Sequence, residues 1–119
     1  MDTLSFTALW SWLQGHLGCI QRVSTPEAVL FDDDDLHWYL GPLDGNEVVQ
    51  VIRGKRLMGE IVVDPERVSY VQALGEESAG EYVFEAISET ETERVAVYTF
   101  VLVHDLDAEG APAHGSGIH

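Results

Sequence analysis

The first part of the chain carries apolar residues at helical spacing. Between residues 4 and 17, placing successive side chains about 100° apart produces one apolar stripe. The stripe consists of Phe6, Leu9, Trp10, Leu13 and Leu17. Asp2, Thr3 or Ser5 can cap the start, and Gly18 can end the helix. The pattern therefore predicts one N-terminal helix.

A second apolar edge accompanies this stripe. Trp12 lies away from it, on the side of the helix that carries Ala8 and Leu4. Such an edge means either that the fold encloses the helix on two sides or that the helix contacts another chain. Trp12 is therefore a candidate binding residue at an apolar helix edge.

From residue 20 onward the pattern is typical of strands and turns. Gly54-Lys55 separates the apolar runs 48–53 and 56–63, which predicts a two-residue hairpin loop with glycine where a type II′ turn needs it. The segment 64–67 contains a proline at the favoured second position of a four-residue turn. Further strands are predicted at 27–31, 36–40, 68–74, 82–87 and 94–106.

The last predicted strand is apolar on both faces. Val95, Val97, Thr99, Val101 and Val103 alternate with Ala96, Tyr98, Phe100, Leu102 and His104. This alternation is typical of a strand in the middle of a sheet that is covered on both sides. The helix would cover one side, and a fold-over of the sheet or a second subunit would cover the other.

Together these elements predict an α+β domain over residues 1–106. In it, one N-terminal helix packs on a curved, mainly antiparallel meander-type sheet of about six strands. The remaining residues, 107–119, are rich in Gly, Ala and Pro and predict a flexible C-terminal tail.

The charge balance limits the kinds of partner. The 119 residues fit one domain, and they contain 6 Lys and Arg against 21 Asp and Glu, for a formal charge of −15. Such a field repels nucleic-acid phosphates and anionic membrane surfaces. We therefore expect a protein partner, with a basic one favoured by the charge, and neither a nucleic acid nor a membrane.

The N-terminal sequence and the single cysteine bear on the compartment. Cys19 is the one cysteine of the chain, which fits a reducing compartment and either a small hydrophobic role or a reactive thiol. The first residues carry an acid where a signal peptide carries positive charge, and no run is apolar enough to span a membrane. The expected location is the cytoplasm.

Four consecutive carboxylates, Asp32–Asp35, stand between two apolar runs. We interpret residues 29–40 as a hairpin that has these residues at its tip and Phe31 opposite Leu36. An EF-hand loop does not fit, because its sixth position needs glycine where this chain has His37. The run is a solvated turn, a weak surface Ca²⁺ site or a docking point for a basic partner.

The basic residues also cluster. Arg53, Lys55 and Arg56 surround one predicted hairpin turn and supply three of the six positive charges. Three interpretations are open: a solvated hairpin tip, an anion-binding site, or a contact to Asp32–Asp35 of a second copy. The contact between copies would weaken with salt, because exposed charges are screened beyond about 8–10 Å at physiological ionic strength.

Motifs for catalysis are absent from the sequence. It has no GxSxG, P-loop, GxGxxG, CxxC or HExxH pattern, so we expect no cofactor and no metal, and we lean against an enzyme. A pocket between helix and sheet is the alternative, lined by aromatics such as Trp38 and Tyr98 with His37 or His104 as its polar element.

Two hypotheses from different classes follow. The first is a non-enzymatic, acidic, cytoplasmic protein-interaction module, such as an inhibitor, an immunity protein or a chaperone-like adaptor, that forms a homodimer. The second is a small-ligand-binding or enzymatic α+β roll with an aromatic-lined pocket.

Overall fold

The computed structural model describes residues 2–78 and 81–103, which form one α-helix and nine strands. The helix α1 spans Phe6–Gln14. The strands are β1 (Asp2–Leu4), β2 (Ile20–Ser24), β3 (Val29–Phe31), β4 (His37–Leu43), β5 (Asn46–Arg53), β6 (Arg56–Val63), β7 (Tyr70–Ser78), β8 (Glu81–Glu89) and β9 (Arg94–Val103).

The strands form two antiparallel sheets. Sheet A has six strands in the order β1-β7-β8-β9-β2-β3, and sheet B has three in the order β4-β5-β6. Strands β4–β6 and β7–β9 are meanders that pair with their neighbours along the chain. The predicted α+β class, with an N-terminal helix and mainly antiparallel pairing, is confirmed. The strands form two sheets, whereas the sequence predicted one sheet of about six strands. Sheet B packs against sheet A around a shared core.

The helix is shorter than its apolar stripe. Ser5 caps its start, since the Ser5 hydroxyl accepts a hydrogen bond from the backbone N–H of Ala8 at 3.1 Å. Its end is fixed at Gly15, so Leu17 lies in a separate 3₁₀ turn. The predicted stripe is otherwise correct, because the buried residues of the helix are Phe6, Leu9, Trp10 and Leu13.

A hydrophobic core lies between α1 and the inner faces of both sheets. Sheet A contributes Phe84, Phe100 and Leu102, among others, and sheet B contributes Trp38, Val49 and Ile61. Two indole N–H groups join the layers. Trp38 donates to the carbonyl of Ile20 at 3.1 Å, and Trp10 donates to Glu47 Oε1 at 2.9 Å. Both bonds satisfy polar atoms that packing removes from water.

Strand β9 lies between β8 and β2, so its predicted central position in a sheet is confirmed. Its inner face is buried in the core and carries Tyr98, Phe100 and Leu102. The pairing with β8 shifts between Ala86 and Ile87, where β9 has one extra residue, Val97. Val97 therefore departs from the simple alternation and also packs in the core. His104 and residues 104–106 of the predicted strand lie outside the described residues, as does the predicted tail 107–119.

The turn between β5 and β6 follows the predicted chemistry, and the turn between β4 and β5 is a further tight turn. Gly54 has φ 62°, and the loop Gly54-Lys55 joins Arg53 to its partner Arg56. Asp44 and Gly45 have φ 52° and 85°, the two positive values that a type I′ turn requires. These turns place the basic residues at one end of sheet B and Asp44 at the other.

The hairpin interpretation of residues 29–40 is wrong. Phe31 pairs with Arg22 in sheet A, whereas His37 pairs with Ile52 in sheet B. A tight turn explains the first pairing, because Thr25 accepts side-chain hydrogen bonds from the N–H groups of residues 27 and 28 and closes β2 onto β3. Asp32–Asp35 therefore connect the two sheets.

Candidate functional site

The segment Asp32–Asp35, hereafter the acidic connector, is fixed at both ends. The Asp32 N–H donates to the carbonyl of Gln21 at 2.9 Å, and the Leu36 N–H donates to the carbonyl of Asp33 at 3.0 Å. In the middle, the Asp34 N–H donates to Asp33 Oδ1 at 2.7 Å. All four Asp residues are exposed. The connector is a short anchored loop that presents negative charge to solvent.

Apolar side chains adjoin the connector on the outer face of sheet A. Phe31 is 60% exposed and Val29 is 46% exposed, and both belong to edge strand β3. A shallow cleft of about 280 Å³ lies beside them, lined by Gln21, Arg22, Phe31, Asp32, Glu81 and Val101. An exposed aromatic ring next to clustered carboxylates suits a ligand that is both basic and apolar.

The carboxylates of the connector do not assemble a metal cage. Within residues 2–78 and 81–103, no group of three or more His, Cys, Asp or Glu side chains is arranged to hold a metal ion. The connector exposes its carboxylates to solvent, and one of the oxygens, Asp33 Oδ1, already accepts a backbone hydrogen bond.

Trp12 is half-buried and packs against the edge of the core. Its ring stacks on the His16 imidazole with centroids 3.9 Å apart and planes 8° from parallel. His16 Nδ1 lies 2.8 Å from the Trp12 carbonyl, which holds the imidazole in place. The fold thus encloses part of this helix edge, and the His16 ring, one turn along the helix, covers one face of the indole.

The predicted pocket residues lie in different places. His37 and Trp38 are neighbours on β4, so their side chains point to opposite faces; His37 is exposed and Trp38 is buried in the core. Tyr98 is also a core residue, and its hydroxyl accepts a hydrogen bond from the Asp64 N–H at 2.8 Å. His104 lies outside the described residues. The described members of this set therefore do not line one common cavity.

The outer face of sheet B is an apolar surface that the sequence pattern does not reveal. Exposed apolar side chains lie along it, namely Tyr39, Leu43, Leu57, Met58 and Val62. Val48 lies between Gly41 and Val62 on the same face and is buried although it does not belong to the core cluster. The sequence does contain one indication of this surface, because Val62 and Val63 are consecutive apolar residues of one strand. Side chains alternate between the two faces of a sheet, so one of the two must lie on the outer face.

The two ends of sheet B differ in charge. At one end, Arg53, Lys55 and Arg56 form what we call the basic tip. At the other end, a cleft of about 550 Å³ is lined by Gly45, Asn46, Glu47, Val62, Val63, Asp64, Pro65 and Glu66. Three of the lining residues are acidic, and one of them, Glu47, accepts the hydrogen bond from Trp10 through its carboxylate. We call this the acidic cleft.

One arginine is fixed on the outer face of sheet A. The Arg94 guanidinium donates to Tyr70 Oη at 2.9 Å and to Gln72 Oε1 at 2.6 Å. The hydrogen bond to Tyr70 is the main cause that raises the pKa of Arg94 above its ordinary value, with the nearby carboxylates of Glu89 and Glu85 contributing less. This network lies at the end of sheet A that is far from the connector, and it makes that end polar.

A comparison with protein-family models, with curated proteins and with solved structures found no match. Within the described part of the chain, no helix is long and apolar enough to cross a membrane. The surfaces of the chain itself are therefore the basis for a functional proposal.

Proposed function

We propose that this protein is a non-enzymatic, cytoplasmic interaction module that binds a basic protein partner through the acidic connector. The observation that carries the proposal is the juxtaposition of four exposed carboxylates with the exposed Phe31 ring on one short anchored segment. Roles of this kind include inhibitors, immunity proteins and chaperone-like adaptors. The homodimer expected from the sequence belongs to the same proposal.

Two physical arguments support the connector as the docking site. The first is preorganisation: hydrogen bonds already hold the segment on both sides, so less conformational entropy is lost on binding. The second is chemistry: carboxylates attract Lys and Arg over a long range, whereas an exposed aromatic ring adds buried apolar area once contact is made. The overall charge of −15 also speeds encounter with a basic protein.

The placement of the aromatic residues favours this function over a ligand pocket. Trp38 and Tyr98 are packed in the core, and their polar atoms are hydrogen-bonded to Ile20 and Asp64. His37 faces the opposite side of β4. Because a catalytic or ligand site needs its polar group to converge with the lining residues, the enzymatic alternative has less support.

Changing Asp32–Asp35 to Asn is expected to abolish partner capture without unfolding the protein. Asn keeps an oxygen acceptor for the Asp34 N–H, so the free energy of unfolding should change by less than about 0.5 kcal/mol. Immobilised wild-type and variant protein are incubated with native lysate at low ionic strength and at about 1 M salt, where the Debye length is about 3 Å. The proteins retained by the wild type at low salt should be missing from the variant and from the high-salt sample.

The matched control removes the same number of carboxylates elsewhere. Glu27, Glu89, Glu91 and Glu93 are exposed, and changing all four to Gln leaves the connector intact. This control should retain the partner. Equal retention by the connector variant, or equal loss by the control, would contradict the proposal, because either result assigns binding to general charge or to another surface.

A further inference from the structure

Strand β3 is the last strand of sheet A, and it pairs with β2 on one side only. Within residues 2–78 and 81–103, no strand is hydrogen-bonded to its other side, which we call the free edge. Strand β6 lies beneath β3 and not beside it. The Leu30 side chain, opposite the core residue Val23, points inward and approaches Gly59 so closely that a Cβ there would lie 2.6 Å from Leu30 Cδ2.

The ladder between β2 and β3 identifies which backbone groups point to the free edge. The Asp32 N–H donates to the Gln21 carbonyl at 2.9 Å, and the Thr25 N–H donates to the Ala28 carbonyl at 2.8 Å. These two residue pairs are therefore hydrogen-bonded pairs of the ladder. In an antiparallel ladder, hydrogen-bonded pairs alternate with pairs that are not hydrogen-bonded.

Val29 and Phe31 are the residues that this alternation leaves unbonded to β2. Leu30 stands midway between Ala28 and Asp32, so its N–H and C=O groups point to β2. The N–H and C=O groups of Val29 and Phe31 point to the free edge instead. Their side chains are 46% and 60% exposed. The free edge thus offers backbone donors and acceptors beside two exposed apolar side chains.

The charge around the free edge decides what can pair with it. Glu27 precedes β3 and the acidic connector follows it, and all of these carboxylate residues are exposed. Two copies of β3 paired antiparallel about Leu30 would place Glu27 of each copy opposite Asp33 of the other, and like charges at such positions repel. An extended segment that carries Lys or Arg meets charge of opposite sign. The edge therefore favours a basic segment over a second copy of this chain.

We propose that a basic segment of the partner binds as an added antiparallel strand on the free edge of β3. Strand addition of this kind derives affinity from main-chain hydrogen bonds and specificity from alternate side chains. The partner residues opposite Val29 and Phe31 are apolar. Lys and Arg residues precede them in the partner's sequence, because antiparallel pairing then brings the basic residues to the acidic connector. This inference rests on the proposed function and specifies how the partner binds.

The short length of β3 means that both parts of the segment are needed. Only Val29 and Phe31 offer main-chain groups to the added strand, and short edge strands are poor templates for pairing on their own. Attraction between the connector and the basic residues supplies the rest of the affinity and is screened by salt. A segment that is apolar without Lys or Arg should therefore not bind.

A synthetic peptide, Lys-Arg-Lys-Lys-Val-Thr-Val, fits this geometry. When its first valine lies opposite Phe31, its second lies opposite Val29, and its basic residues lie along the acidic connector. The peptide is titrated into the full chain at low ionic strength and followed by calorimetry. N-methylation of the backbone at both valines removes the N–H groups aimed at β3, so it should weaken binding by at least about 10-fold.

The matched control peptide carries its N-methyl groups on the threonine and on the last lysine. These residues lie opposite Leu30 and Asp32, so their N–H groups point away from β3. The two methylated peptides have the same sequence, charge and number of methyl groups. The control should bind within about twofold of the unmodified peptide, because it keeps every hydrogen bond to the free edge.

Hydrogen exchange measures protection at the edge itself. In the free protein, the amides of Val29 and Phe31 should exchange faster than the amide of Leu30, which is bonded to β2. Saturation with the unmodified peptide should slow exchange at Val29 and Phe31 by at least about 10-fold.

The outcomes separate this inference from the proposed function. Equal affinities of the two methylated peptides, or unchanged exchange at Val29 and Phe31 in the saturated complex, would overturn strand addition. If the unmodified peptide still loses affinity for the variant with Asn at Asp32–Asp35, the connector remains the docking site and only the added strand is removed. A peptide that does not bind at all would overturn this inference, while the lysate experiment would still decide whether the connector binds a partner.

Discussion

Replacing Trp38 with alanine is expected to lower the free energy of unfolding by about 3–5 kcal/mol. The indole is buried between sheet B and sheet A, and its N–H donates to the Ile20 carbonyl. Truncation would leave a large cavity between the layers and an unpaired carbonyl in a buried place. Urea denaturation followed by circular dichroism measures the change.

Two further variants define the cause of this loss. Trp38→Phe keeps a ring but removes the donor, so it should cost about 1–3 kcal/mol. Trp12→Ala, at a half-buried site, should cost clearly less than Trp38→Ala. A Trp38→Ala protein with wild-type stability would contradict the core assignment and would return Trp38 to the ligand-pocket hypothesis.

Phe100→Ala is expected to cost a similar amount, about 3–5 kcal/mol, because Phe100 is fully buried on the central strand of sheet A. Its ring faces the layer formed by α1 and sheet B. Thermal and urea unfolding should both shift, and the difference in stability between variant and wild type should be the same at every protein concentration if the cavity alone is responsible.

The matched change on the same strand is Val103→Ala. Val103 lies on the outer face and is 43% exposed, so its truncation should change the free energy of unfolding by less than about 1 kcal/mol. Val101, on the same outer face, is buried, so equal losses at Phe100 and Val103 would mean that the cover of this face extends to the end of β9. We expect a clear difference between these two positions.

Local patterns predicted much of the fold correctly. The apolar stripe of α1 and the loop Gly54-Lys55 depend on residues close in sequence, and both are found in the structure. Alternation along β9 correctly indicated a central strand. Strand β1, with three residues, contains too few positions for a period to be recognised, whereas β3 lies within the strand predicted at 27–31.

The acidic connector shows why the remaining topology could not be predicted. Two apolar runs separated by four polar residues are compatible with a hairpin and equally with a crossing between sheets. The choice depends on which strands offer edges to pair with, and that is a property of distant residues. Here Phe31 pairs with Arg22 and His37 pairs with Ile52, at separations that no local pattern records.

The candidate surfaces were predicted in part. The sequence singled out Asp32–Asp35 and the basic residues Arg53, Lys55 and Arg56 from charge alone, and the structure shows all of them exposed. It could not show that the acidic cleft lies at the far end of β6, because Glu47, Asp64 and Glu66 come together only when β5 pairs with β6. Surfaces that depend on strand pairing require the structure.

Amide chemical shifts can show whether the acidic connector is the docking site for basic partners. Uniformly ¹⁵N-labelled protein is titrated with a short synthetic peptide that alternates Lys and Leu. We predict saturable shifts at Phe31–Leu36 and at the adjoining residues Gln21 and Arg22, which disappear at high salt. Shifts spread evenly over the acidic surface, or concentrated away from the connector, would contradict this assignment.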